Sequence, residues 1–373
     1  MKLLKRILKW TVGAVALVLF LAFLAIFVAY WRSTNDCDRI TAAQGDLMKA
    51  IVYCDYGTPD VLKLEDIAKP VPADDQMLIR VRAVSINPLD WHYMRGTPYI
   101  MRFDTGLRKP KSMRLGVDCA GTVEAVGKNV TQFKPGDEVF GGKNGSFAQY
   151  VCARENGAMV RKPANITFAQ AASVGIAGIT ALQGLRDAGK IQPGQKVLIN
   201  GASGGVGTFA VQIAKSLGAE VTGVCSARNA DLVRSLGADH VIDYTKEDFT
   251  QGAQRYDLIL DNVGTQPLLG FRRVLNPNGI CVLIGGGGPD EGHWIGPLAR
   301  PIKALFLSPF ISQKMSMMLA DLNKKDLTTL GDLIQAGKVT PVIDRSYKLS
   351  QVPEAMRYLE EGHARGKVII TLD

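Results

Sequence analysis

Val197-Leu198-Ile199-Asn200-Gly201-Ala202-Ser203-Gly204-Gly205-Val206-Gly207 is an apolar strand running straight into a glycine-rich turn. The turn opens a helical stretch, Thr208-Phe209-Ala210-Val211-Gln212-Ile213-Ala214-Lys215. A buried parallel strand followed at once by such a turn aims backbone N–H groups at a pyrophosphate. Ala202, Gly204 and Gly207 occupy the three small-residue positions of the dinucleotide fingerprint, with Ala in the first. One position allows the tight turn, one lets the backbone approach the phosphates, and one packs helix on strand. The flanking strand and helix distinguish this stretch from an ordinary structural glycine turn.

Outward from the turn, strands and helices alternate. Strands are expected at 197–200, 221–225, 240–244, 256–261 and 279–286, with helices at 208–216, 229–236 and 266–274. That rhythm predicts a doubly wound parallel sheet over 166–340. Before it, from residue 49, short alternating strands punctuated by Gly and Pro predict a β-rich domain over 49–165. The strand-like end, Lys367-Val368-Ile369-Ile370-Thr371, is expected to return to it, so that 341–373 completes that domain. Residues 295–320 read as apolar and irregular, as core and subunit interface or as a pocket wall; a homodimer is allowed.

The chain of 373 residues is long enough for two such cores. Its net charge is +9, of which Lys2, Lys5, Arg6 and Lys9 supply four. No basic stripe interleaves with aromatics, which argues against nucleic-acid binding. Arg108, Lys109, Lys111 and Arg114 form one local basic cluster, read either as a solvated loop or as a contact for anionic headgroups. The six cysteines show neither Cys-x-x-Cys pairing nor metal spacing. Most read as small buried hydrophobes, a pattern that suits a reducing compartment.

From Trp10 to Trp31 there is no charge. As a helix this stretch is about 33 Å long, enough for a hydrocarbon core of about 30 Å. Trp10, Tyr30 and Trp31 stand at its ends like interfacial anchors. Ala29-Tyr30-Trp31-Arg32 does not resemble a small-residue cleavage site, so 1–34 is expected to be a retained single-pass anchor and 35–48 a polar tether. Its orientation carries two opposed signals. The basic N-terminus favours a cytoplasmic start and puts the rest across the membrane; a nicotinamide cofactor drawn from the cytoplasmic pool favours the reverse.

The ribose of the adenosine is read about 20 residues past the glycine turn. There the chain has Cys225-Ser226-Ala227-Arg228-Asn229, with no carboxylate before Asp231. A hydroxyl and a forked guanidinium suit a 2′-phosphate, which predicts NADPH.

Together with the glycine turn, Asn87-Pro88-Leu89-Asp90, Gly116-Val117-Asp118-Cys119-Ala120-Gly121, Lys134-Pro135-Gly136-Asp137-Glu138-Val139, Leu236-Gly237-Ala238-Asp239-His240-Val241-Ile242-Asp243-Tyr244 and Gly366-Lys367 follow one another in order. Over 48–371 the chain resembles the zinc-independent branch of the medium-chain dehydrogenase/reductase superfamily, which holds the ζ-crystallin-type quinone oxidoreductases and related enoyl reductases. The resemblance implies a GroES-like catalytic domain beside a Rossmann cofactor domain. It also implies that the zinc-ligand positions of the alcohol dehydrogenases are here Asn87, Val117 and Ile176, a set that cannot bind Zn²⁺. No metal is therefore expected. Hydride is expected to pass from NADPH to a quinone or an α,β-unsaturated carbonyl, substrates that spread the incoming charge by conjugation. The alternatives are a metal-free alcohol or aldehyde oxidoreductase and a non-catalytic NADPH-binding protein.

By resemblance, Asn87 and Tyr99 are the candidate catalytic residues, Asn87 toward the nicotinamide ribose or the substrate oxygen and Tyr99 as proton donor, at the cost of a one-residue insertion in the match, or else as a pocket-lining tyrosine. His92 reads as a packed or surface histidine. Cofactor contacts are implied at Thr180, Ala202, Ser203, Gly204, Gly205, Val206, Gly207, Ser226, Arg228, Tyr244, Asn262 and Gly285. His363, Arg365 and Lys367, on the turn 362–367, are implied to meet phosphate or ribose oxygens.

Overall fold

A computed structural model describes residues 2–32, 37, 45–285, 293–307 and 312–372. Fifteen strands among these form three sheets. β1 (Leu47–Val52) and β2 (Lys63–Ala68) make an antiparallel pair. β3 (Gln76–Ile86), β4 (Asp118–Val126), β5 (Glu138–Gly142), β6 (Tyr150–Arg154) and β7 (Met159–Arg161) belong to a seven-stranded sheet. Its order is β14-β15-β3-β4-β5-β7, with β6 on β3; β14 (Ile343–Lys348) and β15 (Lys367–Thr371) come from the end of the chain.

Between them the chain builds a six-stranded, wholly parallel sheet in the order β10-β9-β8-β11-β12-β13. These are β8 (Lys196–Asn200), β9 (Glu220–Cys225), β10 (His240–Asp243), β11 (Tyr256–Asp261), β12 (Leu275–Leu283) and β13 (Lys314–Met317). β8 is central because it is apolar on both faces: Val197, Leu198 and Ile199 are all fully buried. Strand order reverses between β8 and β11, and ligands bind at such a switch point, beyond the carboxyl ends of the strands.

Residues 295–320 are more regular than expected. Helix Ala299–Leu307 leads to β13, the sixth parallel strand. Lys314 and Ser316 alternate with Met315 because this is an edge strand with one solvated side, which hid it within an apolar stretch. Residues 308–311 of that stretch lie outside the described residues, as does most of the tether 35–48.

The apolar N-terminus is one helix, Lys2–Trp31. Its stretch Trp10–Trp31 has 22 residues, none of them buried against the rest of the chain. Beyond it, Cys37 and Cys54 form a disulfide, whereas Cys119, Cys152, Cys225 and Cys281 are free thiols. Two of the six cysteines are thus paired, where the sequence suggested small unpaired hydrophobes. Nothing in the cysteine spacing marked the pair, because Cys54 lies past β1 and meets Cys37 only once that strand is placed. Denatured without reductant, the protein should take up four maleimide-polyethylene-glycol chains, and six after reduction. Six before reduction would refute the cystine.

Candidate active site

Helix Gly205–Ser216 starts directly from the turn after β8, with Gly204 as its N-cap. The N–H groups of its first turn have no acceptor within the helix and point out of its positive end. The left-handed residue of the turn is Gly201, at φ +77°. Gly207 is small for an internal reason: a Cβ there would sit on the Gly201 carbonyl oxygen and within 2.7 Å of the Ala202 backbone. Gly204 is different. A Cβ there would meet only the Gly201 oxygen, at 3.5 Å, and its backbone is extended. The protein itself leaves that space open, as an approaching pyrophosphate requires.

Several of the expected cofactor residues gather around this turn. Ser203 Oγ accepts from Asn229 Nδ2 at 3.0 Å, and the same amide reaches Ser226 Oγ at 3.3 Å. Arg228 is exposed just past the end of β9 and donates to the His363 carbonyl at 3.3 Å. Gly366 N donates to Ser203 O at 2.9 Å, and Gly204 bridges Gly366. The turn 362–367 of the seven-stranded sheet thus lies across the glycine turn, with His363 and Arg365 exposed on it. Tyr244 follows β10 and is exposed; its N–H donates to Cys225 O.

At the switch point Asp261 is fully buried. It accepts from Asn200 Nδ2 at 2.8 Å and pairs with Arg300 at 2.8 Å. Asn262 Nδ2 donates to Asn200 O, while its Oδ1 is buried without a protein partner. Such an atom at the mouth of the crevice suits a ligand donor. Gly285 must be glycine because a Cβ there would overlap the Asn262 carbonyl.

Lys367 is located differently from its neighbours on the turn. It is 3% exposed and donates to Asn87 Oδ1 at 2.5 Å and to Ile86 O at 3.1 Å. Asn87 Nδ2 in turn donates to Asp118 Oδ2 at 2.8 Å, which also accepts from Ser85 Oγ at 2.8 Å. Asp118 Oδ1 accepts from the Ile176 N–H at 2.8 Å. Burial raises the Asp118 pKa and lowers that of Lys367, and the donors and their mutual attraction oppose both shifts. Asp118 therefore joins two of the three positions where a zinc enzyme would carry ligands, Asn87 and Ile176, and neighbours the third, Val117. An amide and two aliphatic side chains do not make a zinc site, and the one carboxylate has both oxygens engaged.

Asn87 caps helix Pro88–Arg95, and its N–H donates to Asp90 Oδ2 at 2.8 Å. Asp90 is fully buried, with Oδ1 unpartnered, and burial raises its pKa to about 7. The folded chain holds this proton up to about pH 7, the unfolded chain only to about 3.8. The folded state binds more protons in that window, so stability falls as pH rises through it, by about 1.4 kcal/mol per pH unit at the steepest. Asp90→Asn should flatten the difference in unfolding free energy between pH 5 and pH 8; an unchanged difference would refute the assignment. Neither Asp90 nor Asp118 is among the residues the sequence points to, although a carboxylate beside Val117 and Cys119 in an apolar strand is the available signal.

Thr180 is buried in helix Gly175–Gln183, with its hydroxyl on the Ile176 carbonyl. His92 is partly buried and contacts Thr97 O through Nδ1. Tyr99 opens a short helix, Tyr99–Met101. Its ring stacks on His293 and meets Trp294 edge-on, and the Arg102 guanidinium lies 4.6 Å from the ring centroid. Asn87, Lys367 and the glycine turn thus come together, whereas Tyr99 is engaged in this separate aromatic cluster.

Residues 73–164 match the family described as alcohol dehydrogenase GroES-like domain, and 236–370 that described as zinc-binding dehydrogenase. The mouse protein named NAD(P)H oxidoreductase RTN4IP1, mitochondrial, is 34% identical over 369 residues, covering 89% of this chain and 91% of its own. The Arabidopsis thaliana protein named NADPH-dependent alkenal/one oxidoreductase, chloroplastic, is 34% identical, covering 87% and 79%. The solved quinone oxidoreductase of Coxiella burnetii superposes with a TM-score of 0.76 at 32% identity, covering 88% of this chain and all of that one.

Proposed function

This chain belongs to the medium-chain dehydrogenase/reductase superfamily, and from that premise we propose that it reduces a quinone or an α,β-unsaturated carbonyl without a metal. It is an NAD(P)H-dependent oxidoreductase, as its relatives are. The observation that carries the narrower reading is the Asp118–Asn87–Lys367 network at the zinc positions. Without a Lewis acid, an unconjugated carbonyl has nothing to stabilise a developing alkoxide, whereas a conjugated acceptor spreads the charge itself.

When bound, the nicotinamide supplies a hydride. The protein's share is to hold and orient. The N–H groups at Gly205–Gly207 would take the pyrophosphate, and Ser226 and Arg228 the 2′-phosphate. The Asn87 amide has one N–H and one lone pair beyond its two bonds, and these would face the substrate oxygen or ribose. Tyr99, packed among His293, Trp294 and Arg102, would deliver the proton only if that cluster borders the bound substrate. Turnover retained in Tyr99→Phe would assign the proton to water and the ring to packing.

The test is NADPH oxidation by the purified full chain with a panel of quinones, enals and saturated aldehydes. Turnover of conjugated acceptors that survives chelation is expected. No oxidation above background across the panel, or turnover confined to saturated aldehydes, would overturn the reading.

In this proposal Trp10–Trp31 spans a bilayer. Two features argue for the catalytic domain lying on the oxidising side: the basic N-terminus and the cystine of Cys37 with Cys54. NADPH supply argues for the other side. Protease added to one face of intact membranes decides: digestion from the oxidising face follows from the cystine and the basic N-terminus, digestion from the cytoplasmic face from NADPH supply.

A further inference from the structure

We infer that segment 99–111, together with Trp294, rests on an anionic lipid surface beside the end of the N-terminal helix; this depends on that helix spanning a bilayer. The segment carries Ile100 and Phe103, 47% and 62% exposed, and Trp294 beside it is 76% exposed. Apolar side chains flanked by the exposed Arg108 and Lys111 make the composition of an interfacial contact: apolar groups enter the headgroup boundary while cations meet the lipid phosphates.

The occupant is indicated by what touches the segment. The guanidinium of Arg108 lies 5.4 Å from the ring centroid of Trp31, the aromatic residue at the end of the apolar helix. In an interfacial belt that ring sits at headgroup level, and so does the cation on it. A second link is covalent. Cys37 stands six residues beyond Trp31, a reach of at most about 22 Å. Cys37 is bonded to Cys54, which precedes Asp55 and Tyr56. Tyr56 Oη donates to Gly106 O at 2.7 Å, and Lys109 Nζ lies 3.7 Å from Asp55 Oδ1. The cystine thus clips the wall of this segment to the end of the helix.

The position has a consequence for the active site. Helix Pro88–Arg95 runs from Asn87 to Gly96, just before the segment. Eight residues of helix span about 12 Å, so an acceptor partitioned into the lipid would lie close to the substrate end of the site.

The test uses the full chain with Cys152→Ser, in nanodiscs of phosphatidylcholine with or without phosphatidylglycerol. Nitroxides at Phe103→Cys, Phe20→Cys and Asp231→Cys are read by collision with a nickel chelate. The Phe103 label should be shielded relative to Asp231 in the anionic discs. Arg108→Gln and Lys111→Gln should each weaken that shielding about fivefold. A Phe103 label as nickel-accessible as Asp231, with Phe20 shielded, overturns the surface and leaves the span standing. Shielding indifferent to phosphatidylglycerol and to both substitutions overturns the anionic partner. A nickel-accessible Phe20 removes both the span and the surface.

Discussion

Gly204→Ala should weaken NADPH binding about a hundredfold while leaving the melting temperature unchanged. Gly207→Ala should lose both. The protein leaves open the space a methyl group would take at Gly204, and an extended backbone tolerates alanine. The only partner that methyl group would displace is the pyrophosphate at the helix N-terminus, and two displaced charge-assisted bonds are together worth about 3 kcal/mol or more. At Gly207 the same methyl group would collide with the Gly201 carbonyl and the Ala202 backbone, neither of which can swing aside. Helix and strand must part there, a packing strain of about 1–3 kcal/mol. Fluorescence titration with NADPH and thermal melts in detergent separate the two effects. A Gly204→Ala protein that binds NADPH normally would show that the cofactor does not approach this turn.

Lys367→Met should destabilise the fold by about 3–5 kcal/mol, because it leaves Asp118 charged and buried and removes the donor to Asn87 Oδ1. The double variant Lys367→Met/Asp118→Asn should recover part of that loss, since the remaining amide at 118 needs no counter-charge. Urea unfolding of both proteins measures it. Equal stability of Lys367→Met and the unaltered protein would mean that the ammonium does no more there than fill space.

The glycine turn, its flanking elements and the parallel rhythm were legible because each is local: a strand of Val, Leu and Ile, a turn of small residues, then a 3.6-residue period. What escaped the sequence is long-range. Asn87 and Lys367 lie 280 positions apart, and only the pairing of β15 with β3 brings them within a hydrogen bond. The resemblance therefore put Lys367 with its turn neighbours His363 and Arg365, whereas the alternation of a strand turns its side chain into the catalytic domain. Cys37 and Cys54 escaped for the same reason: the intervening strand, not their spacing, sets their distance. β13 escaped because four residues with one solvated side carry too little alternation to stand out.

The place of β15 has a bearing on biosynthesis. Among the described strands Lys367–Thr371 comes after all the others, yet it lies inside its sheet, between β14 and β3. The apolar helix leaves the ribosome long before β15, so in the proposed topology it can reach a bilayer while the seven-stranded sheet still lacks the partner of β3. A nascent chain stalled before Lys367 would display the edge of β3, along with an empty place beside Asn87 and Asp118. Quality control acting before β15 is made would therefore meet an open β3 edge, and the pairing of β15 removes it.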